Sequence, residues 1–538
     1  MGNAKYSDKE LSRILRLEKG DVYNQRELET NLSFNPNGQD VSSLYLDDGY
    51  LFFQVTPVEV LVENDSIDLE IRIYEGKQAR INKIKLKGNT RTNDHVVIRE
   101  IRTKPGELFS RSDIIRTVRE LAQLRYFNPE TLEPVPLPKP ADGTVDIEYK
   151  VEETSSDQFE LSGGWGAGTV VGTIGLSFNN FSTRNFFKRK SWKPLPSGDG
   201  QKLSVRAQSN GKYYQAYSFS FTEPWLGGKK PTAFSVSLYH SVQSNGLSKK
   251  DENRQSITIN GVTLGLSKRI RWPDDYFILS QNISLQNYVL NDYYSLFEFS
   301  DGYSNNLSYA VTLSRNSIDQ PIYPRKGSEV SLSFQATAPY SLFSGKDYNE
   351  ISDQEKYKWI EYHKWKFTSS FYTALAGNLV LSTRFRFAFL GYYNKDIGYS
   401  PFERYYVGGD GLSGYALDSR ELVGLRGYAN NTLTPRGPNG YIGATIYDKF
   451  TFEMRYPVSL NPNATIYVLG FLEAGNAWLK FEDFNPFSMY RSYGLGVRIY
   501  LPMFGLLGLD WGYGLDEVPG ISSANKGQFH FSINQSID

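Results

Sequence analysis

The clearest strand pattern in the chain is the stretch Tyr493-Gly494-Leu495-Gly496-Val497-Arg498-Ile499. Large apolar side chains alternate here with glycine or a charged side chain, so one face of the predicted strand is apolar and the other is small or polar. The same alternation returns near the C-terminus, in Gln528-Phe529-His530-Phe531-Ser532-Ile533. This pattern is typical of a β-barrel whose outer face contacts lipid.

The connections between such strands alternate in length from residue 157 onwards. Short turns are Ala376-Gly377-Asn378, Leu460-Asn461-Pro462-Asn463 and Pro502-Met503-Phe504-Gly505. Long segments are 241–254, 339–359, 393–443, 476–490 and 516–526. Counting the strands between them gives sixteen, so residues 155–538 are predicted to form a 16-stranded antiparallel transmembrane β-barrel. A soluble propeller is less consistent with the sequence, because no repeat of propeller length is visible.

Composition narrows the class of protein. The 538 residues carry 59 basic and 59 acidic side chains, which gives no compositional case for nucleic-acid binding. The mean hydropathy is -0.45, and no run of about 18 apolar residues occurs, which excludes a helical membrane span. Cysteine is absent, so disulfides and thiolate metal sites are excluded. The first residues, from Met1 to Lys5, are polar and do not form a signal peptide, so an exported protein would be represented here by its mature part.

The first part of the chain contains a repeat. Gly2-Asn3 recurs as Gly88-Asn89, an offset of 86 residues. Ser7 with Glu10 predicts a helix start by a capping box, and Ser110 with Asp113 predicts a second helix in the other copy. That helix is predicted to place four apolar side chains on one face: Ile114, Ile115, Val118 and Leu121. Each copy ends in an alternating strand, so residues 1–76 and 77–154 are predicted to be two small α+β modules, the first lacking its opening strand.

The longest loop contains the most unusual charged residue, in Leu425-Arg426-Gly427-Tyr428. Two later strands each carry one carboxylate among apolar residues, Glu453 and Glu473. A guanidinium donates hydrogen bonds in a planar fork that two carboxylates can accept. Spacing alone leaves two interpretations open: the arginine is buried against both glutamates, or all three face water.

These features resemble the Omp85 superfamily, whose members join POTRA modules to a sixteen-strand barrel. Leu425 to Tyr428 matches the family's (V/I)RGF motif, with leucine and tyrosine as conservative departures. The resemblance is strongest to its barrel-assembly factors, and implies the last two POTRA modules of a longer array. It implies that Arg426 enters the barrel lumen and meets Glu453 and Glu473, where the family usually carries aspartate at the second position.

The same resemblance implies a function and its setting. The expected function is the folding and insertion of β-barrel proteins into the outer membrane, with the modules in the periplasm. Expected partners are unfolded outer-membrane protein clients, accessory lipoproteins or other envelope proteins, and outer-membrane lipids, and no nucleic acid. Rivals are a related translocation pore, of the two-partner secretion or TamA-like type, and a passive porin.

The resemblance also implies a lateral seam between the first and last barrel strands. A weakly paired seam exposes backbone donors and acceptors to which a client strand can add. On the first strand the expected seam residues are Gly163, Gly164 and Gly166, and on the last strand Phe529, Phe531, Ile533 and Asn534. Asn534 stands where the family often has a kink-forming glycine. Tight curvature without gating is the alternative interpretation of these glycines.

No other motif indicates catalysis. The four histidines, His95, His240, His363 and His530, lack metal-ligand spacing, and no nucleophile, base and acid occur in a catalytic arrangement. We therefore expect no enzyme activity, no cofactor and no metal. The stretch Phe186-Phe187-Lys188-Arg189-Lys190-Ser191-Trp192 combines aromatic and basic residues and suits a membrane interface, where it would contact lipid headgroups or clients.

Overall fold

A computed structural model describes most of the chain. The described residues are 2–35, 38–124, 126–128, 131–154, 157–166, 169–192, 195–293, 299–320, 322–411, 420–437, 440–461, 464–501 and 505–533. They form two compact units, Met1–Asp157 with Phe178–Gln201, and Gln158–Ser177 with Lys202–Asp538. None of the described helices has the length and apolar character needed to cross a membrane.

The first module in the first unit contains three helices and a two-stranded sheet. Its elements are α1 Asp8–Leu15, α2 Gln25–Glu29, a π-helical turn Thr30–Phe34, α3 Val41–Asp47, β1 Gln54–Glu63 and β2 Ser66–Tyr74. The predicted capping box is confirmed, because the Glu10 backbone N–H donates to the Ser7 hydroxyl and the Ser7 N–H donates to the Glu10 carboxylate at 3.0 Å. The helices pack on the sheet around the buried side chains of Leu28, Val41 and Tyr45.

The second module has a three-stranded sheet. Its elements are β3 Arg80–Lys87, α4 Asp94–Ile98, α5 Arg111–Gln123, β4 Glu133–Lys139 and β5 Thr144–Lys150, in the strand order β3-β5-β4. The prediction for the apolar face of α5 is wrong at Ile115, which is 47% exposed, and Thr117 is buried instead. Ile115 points about 100° away from Ile114, whereas Thr117 lies on the same buried face as Ile114. The Thr117 hydroxyl is satisfied there by donating to the Asp113 carbonyl at 2.7 Å.

The repeat is visible in matching hydrogen bonds. The Asn3 amide donates to the carboxylate of Asp8 at 2.7 Å, and the Asn89 amide donates to Asp94 at 2.6 Å. A carboxylate from the end of each module accepts backbone N–H groups of the same turn: Glu75 accepts from residues 4 and 5, and Glu153 from residues 91 and 92. The Gly-Asn recurrence therefore marks a turn with the same structure in both modules.

The second unit is dominated by one antiparallel sheet. Its first strands are β6 Gln158–Gly166, β7 Thr169–Phe181, β8 Gln201–Asn210, β9 Tyr214–Glu223, β10 Thr232–Ser244, β11 Ser256–Ile270, β12 Phe277–Asn291, β13 Gly302–Asn316, β14 Gly327–Thr337, β15 His363–Ala374 and β16 Val380–Gly391. Two short helices, α6 Tyr340–Ser344 and α7 Asp353–Lys356, lie between β14 and β15. The long loop after β16 holds four short strands, β17 Tyr405–Val407, β18 Glu421–Val423, β19 Arg436–Gly437 and β20 Gly440–Tyr441. The chain re-enters the sheet with β21 Ile446–Asn461, β22 Ala464–Trp478, β23 Tyr490–Leu501, β24 Gly505–Gly514 and β25 Gln528–Ile533.

Strands that follow one another in the chain are neighbours in this sheet, and β21 pairs with β16 across the long loop. The sheet order runs from β25 to β6 through sixteen strands. From β14 onwards the connections at one end of the sheet are short, as between β15 and β16, while those at the other end are long, as between β14 and β15. The connection 182–200 is the longest of the connections at the short-turn end. It lies within Phe178–Gln201, which belongs to the first unit.

The side chains of the sheet are polar on the buried face and apolar on the exposed face. In β21, Phe452, Met454 and Tyr456 are 43–54% exposed, whereas Glu453 and Arg455 between them are buried. This is the reverse of a soluble sheet, in which the apolar face is covered. The exposed apolar face is therefore the outer face of a barrel-like sheet, and the buried polar face is its inner face.

The inner face also has an apolar patch. Leu469, Phe471 and Glu473 share the inner face of β22, and the pairing of β22 with β23 continues through them without a register shift. Tyr323, Val380 and Tyr467 complete the patch. The inner face of β22 is therefore itself apolar near Glu473. No bulge in the strand is needed to explain the apolar side chains beside this glutamate.

Candidate functional site

The Leu425–Tyr428 segment of the long loop lies against the inner face of the sheet. Arg426, Leu425 and Tyr428 are completely buried. The Leu425 N–H donates to the Gly409 carbonyl at 2.9 Å, which closes the loop on itself. Gly409 and Gly427 have φ values of 82° and 89°, a left-handed conformation that favours glycine. Gly427, directly after the arginine, and Gly409, on the segment opposite it, therefore allow the backbone to turn.

The structure brings Arg426 together with both predicted glutamates. Its Nη2 donates to Glu453 and to Glu473, each at 2.8 Å, and its Nε donates to Glu473 at 3.1 Å. The Arg426 backbone N–H also donates to Glu473 at 2.8 Å. Glu473 thus holds both the side chain and the backbone of the arginine, while Glu453 holds the side chain alone.

An aromatic ring forms the floor below the guanidinium. The Arg426 guanidinium carbon lies 3.6 Å from the centroid of the Phe471 ring. A desolvated arginine stacked on an aromatic face gains about 2 kcal/mol from the cation–π interaction. The apolar inner patch that contains Phe471 therefore contributes to binding the arginine as well as to packing.

The sequence did not identify the remaining charged residues of the cluster. Asp510 of β24 accepts from Arg426 Nη1 at 3.5 Å and is held by Arg498 at 2.7 and 2.8 Å. Arg384 and Arg455 both donate to Glu453 at 2.6 Å, and Lys449 lies 3.1 Å from Glu473. Asp510 carries the same signal as the two glutamates, one acid between Leu509 and Trp511 on an alternating strand, and was recognisable on that ground.

Strand β24 receives the loop on glycines. A Cβ atom added at Gly512 would lie 2.7 Å from the Gly427 nitrogen and 3.1 Å from the Arg426 carbonyl carbon. A Cβ atom at Gly514 would lie 2.8 Å from the Tyr428 ring. These separations are too short for real side chains, so the loop backbone packs on the strand only because Gly512 and Gly514 lack one.

Tyr428 and Gly427 make the last contacts of the segment. The Tyr428 hydroxyl donates to the Arg491 carbonyl at 2.8 Å and accepts from the Asp516 N–H at 3.2 Å. The Gly427 N–H donates to His530 Nε2 at 3.2 Å. The motif thus reaches β23, the loop beyond β24, and β25. We call the contacts of Arg426, Gly427 and Tyr428 the first anchor of the long loop.

A second set of ion pairs holds the same loop to other strands. Lys364 of β15 is 3% exposed and donates to Glu403 at 3.0 Å and to Glu421 at 2.9 Å. Lys366 donates to Glu421 at 2.7 Å, and Asn306 of β13 donates to Glu403 at 3.0 Å. We call this set the second anchor. Its charges are reversed relative to the first anchor, because here the loop supplies the carboxylates and the strands supply the cations.

The electrostatics of the second anchor favour its ionised form. Loss of hydration opposes ionisation of Glu421, but the ammonium groups of Lys364 and Lys366 outweigh it and lower the pKa of Glu421 to about 2. A carboxylate whose folded-state pKa is lowered stabilises the folded state above its ordinary pKa. The Glu421 contribution is therefore complete above the ordinary value of 4.5 and is lost as the pH falls towards about 2.

Removing Lys364 is expected to loosen this part of the loop. Lys364→Met leaves Glu403 without its cation and Glu421 with Lys366 only. Because Glu421 keeps one partner, the loss of folding free energy is expected to be smaller than the value of about 3–5 kcal/mol that is typical of breaking a fully buried pair. We expect faster protease cleavage within residues 393–443, with the sheet retaining its heat-resistant form on gels. Lys395→Met, at an exposed lysine of the same loop, is the control. Equal cleavage rates for the two variants would show that the second anchor does not hold the loop.

The predicted seam residues lie on the terminal strands of the sheet order. Gly163, Gly164 and Gly166 belong to β6, where they pair with residues 172, 171 and 169 of β7. In β25, Phe529 is 75% and Phe531 is 58% exposed. Ile533 pairs with residue 507 of β24, and Asn534 lies outside the described residues. Within the residues that the structure describes, β25 pairs with β24 from 528 to 533.

Metal-binding groups were also sought among the described residues. No group of three or more His, Cys, Asp or Glu side chains there is arranged to hold a metal ion. His530 contacts the loop motif through Gly427, and His240 contacts Asn260 at 2.7 Å. These two histidines make ordinary hydrogen bonds within the sheet and the loop.

The domain families of the chain are clear. Residues 197–537 match the Omp85 superfamily domain. Residues 1–76 and 79–154 each match the POTRA family, described as a surface antigen variable number repeat.

Curated relatives match most of this chain. The BamA outer membrane protein assembly factor of Nitratidesulfovibrio vulgaris is 27% identical over 506 residues, which cover 92% of this chain and 56% of the relative. The BamA of Neisseria meningitidis serogroup B is 22% identical over 87% of this chain and 55% of its own length. This chain therefore spans a little over half the length of both relatives.

Solved structures share the fold. BamA from Haemophilus ducreyi lacking POTRA domains 1–3 matches with a TM-score of 0.58 and 18% identity, covering 99% of this chain and 98% of that one. CdiB from Escherichia coli matches with a TM-score of 0.54 and 14% identity, covering 99% of this chain and 88% of that one. At these identities the likeness establishes the fold alone.

Proposed function

Because this chain belongs to the Omp85 superfamily, we propose that it folds and inserts β-barrel proteins into the outer membrane. The observation that carries this proposal is that relatives named outer membrane protein assembly factor match it along most of its length. The outer face of the sheet, exposed and apolar, supports a location within a bilayer. In this proposal the protein uses neither a nucleotide nor a covalent step.

The proposed setting follows from the two parts of the chain. Residues 1–76 and 77–154 are POTRA modules in the periplasm, and residues 155–538 cross the outer membrane with the loop 393–443 on the far side. Clients are unfolded outer-membrane proteins, whose extended segments add to exposed strand edges. Accessory lipoproteins or other envelope proteins and the surrounding lipids complete the expected partners.

The proposed site of assembly is the seam between β6 and β25. An edge strand offers unpaired backbone N–H and carbonyl groups that an incoming strand can bind. β6 and β25 stand at the two ends of the strand order of the sheet, as a seam between them requires. On β6, Gly163, Gly164 and Gly166 supply no side chains to pack against a closing partner, which lowers the cost of opening.

The two anchors have a structural role in this mechanism. The first anchor joins the loop to β21–β25, next to the proposed seam, and the second joins the same loop to β13 and β15. A loop held at both places transmits strain between these strands when β25 moves. Arg426, Glu453 and Glu473 are therefore a latch that shapes the site, while the backbone of the seam pairs with the client.

A locked seam tests the function. Because the chain has no cysteine, the double variant Gly163→Cys/Ser532→Cys introduces one disulfide between β6 and β25. We expect the oxidised protein in vesicles to lose its acceleration of client barrel folding, and to regain it on reduction. The control disulfide, Ser267→Cys/Ser280→Cys, joins strands that are already paired, with hydroxyl oxygens 2.9 Å apart, and is expected to leave the rate unchanged.

Three outcomes separate the candidate functions. Full client folding by the oxidised seam variant would disprove seam opening but not assembly. No acceleration by the unmodified protein would disprove assembly itself. A large, steady conductance of the unmodified protein in planar bilayers would instead support a porin or a translocation pore.

A further inference from the structure

The connection 182–200 carries an exposed cluster that the proposed function does not use. We call residues 183–192 the aromatic-basic knob. Phe187 is 94% exposed, and Phe186 and Trp192 are 41% and 42% exposed. A single exposed aromatic ring is common on protein surfaces, but three exposed rings in one short segment form an apolar patch. Such a patch indicates an interaction surface.

The three rings form one surface. Phe186 lies 5.4 Å from Phe187 and 5.2 Å from Trp192, measured between ring centroids. The Trp192 indole N–H donates to the Phe186 carbonyl at 2.9 Å, which fixes the indole against the turn. The indole is thus held in place before any partner binds, so little entropy of this side chain is lost on binding.

The base of the knob is braced by hydrogen bonds. The Asn185 N–H donates to the Ser182 hydroxyl at 3.1 Å, and the Ser182 hydroxyl donates to the carboxylate of Asp199. The Thr183 N–H donates to the Gln201 side chain at 2.7 Å. Within the knob, the Ser191 N–H donates to the Lys188 carbonyl at 2.8 Å. Residues 182–192 therefore form a hydrogen-bonded turn whose basic and aromatic side chains are exposed.

The charge of the knob has a single sign. Its basic side chains are all exposed: Arg184, Lys188, Arg189 and Lys190. Residues 183–192 contain no aspartate or glutamate. A positively charged segment without neutralising acids attracts a negatively charged surface, and Lys and Arg side chains extend past aromatic rings to reach its charged groups.

We propose that the aromatic-basic knob docks on the anionic phospholipid headgroups of the membrane, with its rings at the boundary of the acyl chains. The knob begins two residues after β7 ends at Phe181, so it lies close in the chain to a segment proposed to span the bilayer. Aromatic rings favour this interfacial level, and basic side chains bind the phosphates above it. The inference rests on the proposed location in the outer membrane and not on client assembly.

A single fluorescent probe tests the docking. Ser191→Cys is a unique labelling site in a chain without cysteine, and the labelled full-length protein is placed in phosphatidylcholine vesicles with or without phosphatidylglycerol. We expect quenching of the probe by headgroup-labelled lipid to be stronger with phosphatidylglycerol and to weaken as salt is added. Equal quenching in both kinds of vesicle would overturn the proposal.

Matched charge variants make the test specific. Arg189→Gln/Lys190→Gln is expected to lower the ratio of docked to undocked probe by about 25-fold, at about fivefold for each cation near an anionic surface. Lys249→Gln/Lys250→Gln, at exposed lysines in the connection between β10 and β11, is expected to change nothing. Phe187→Ala is expected to weaken quenching in both kinds of vesicle while preserving its salt dependence.

The remaining outcomes are also decisive. If quenching in phosphatidylglycerol vesicles is unaffected by Arg189→Gln/Lys190→Gln, the knob does not bind headgroups. If docking appears only after an unfolded client is added, the knob binds clients and the lipid proposal is wrong. Because the probe responds without any client, loss of docking is distinguishable from failure of barrel assembly, which is measured separately.

Discussion

Replacing Arg426 with glutamate is expected to release the long loop from the inner face of the sheet. Arg426→Glu places a fourth carboxylate beside Glu453, Glu473 and Asp510, which meet the arginine at 2.8, 2.8 and 3.5 Å. Breaking a buried ion pair by removing one partner costs about 3–5 kcal/mol, and reversing the charge adds repulsion. The loss falls mainly on Glu473, which keeps only Lys449 as a paired cation among the described contacts.

The consequence is measurable as exposure of the loop and instability of the barrel. We expect Arg426→Glu to be cleaved by protease within 393–443 on intact cells and to lose its heat-modifiable form on gels. Arg426→Lys keeps the charge but not the planar fork, so an intermediate effect is expected. The control is Arg436→Glu, an exposed arginine of the same loop that donates to Tyr441 at 3.0 Å. If Arg426→Glu behaves like Arg436→Glu, the first anchor has no structural role.

A side chain at Gly512 is expected to expel the loop even though every charge remains in place. In Gly512→Val the added Cβ would lie 2.7 Å from the Gly427 nitrogen and 3.0 Å from its Cα atom. These neighbours are backbone atoms, so the loop must move. Overpacking of this kind costs about 1–3 kcal/mol or more, although valine suits a strand better than glycine does.

The matched control is another glycine of the same sheet. A Cβ atom at Gly470 would lie 3.6 Å from a Leu495 methyl group, an ordinary contact distance, so Gly470→Val adds the same side chain on the outer face. We expect protease cleavage of the loop in Gly512→Val and not in Gly470→Val. Protection of the loop in both variants would show that Gly512 is not required for its close approach.

Together the two variants separate charge from shape in the first anchor. If charge alone held the loop, Gly512→Val would be tolerated, because Arg426 could still reach its carboxylates after a small shift. If shape alone held it, Arg426→Lys would be neutral. The distances in the structure favour joint action, since the arginine reaches Glu473 through its backbone N–H as well as its side chain, and only the close approach at Gly512 allows both.

Strand patterns and the motif could be predicted from the sequence because they depend on local order. Alternation along a strand assigns each residue to a face without knowledge of its neighbours, and the family resemblance added that Glu453 and Glu473 face the barrel lumen. The prediction for α5 was wrong at Ile115, because the buried face runs through Ile114, Thr117 and Leu121, and Thr117 can lie there since its hydroxyl finds a hydrogen-bond partner. That partner depends on the fold of the turn and not on apolar periodicity.

The second anchor was beyond sequence reasoning for a different reason. Lys364 and Glu421 are far apart in the chain, and neither stands out by composition, since charged residues are common in loops and on polar strand faces. Their contact at 2.9 Å depends on how the long loop folds back inside the sheet. The contact of the β24 glycines with Gly427 could not be predicted for the same reason. The sequence shows that these residues are small, but not which segment of the loop packs on them.

The sequence by itself determined two repeated modules and a strand alternation typical of a lipid-facing barrel, and its family resemblance implied one loop arginine with two inward carboxylates. Only the tertiary structure decided which further charges meet that arginine. Arg384 reaches Glu453 because β16 pairs with β21 across the long loop, and Arg498 reaches Asp510 through the register of β23 with β24. The physical reason is that the alternation specifies the face of each side chain, whereas its neighbours across the sheet are set by strand pairing and register.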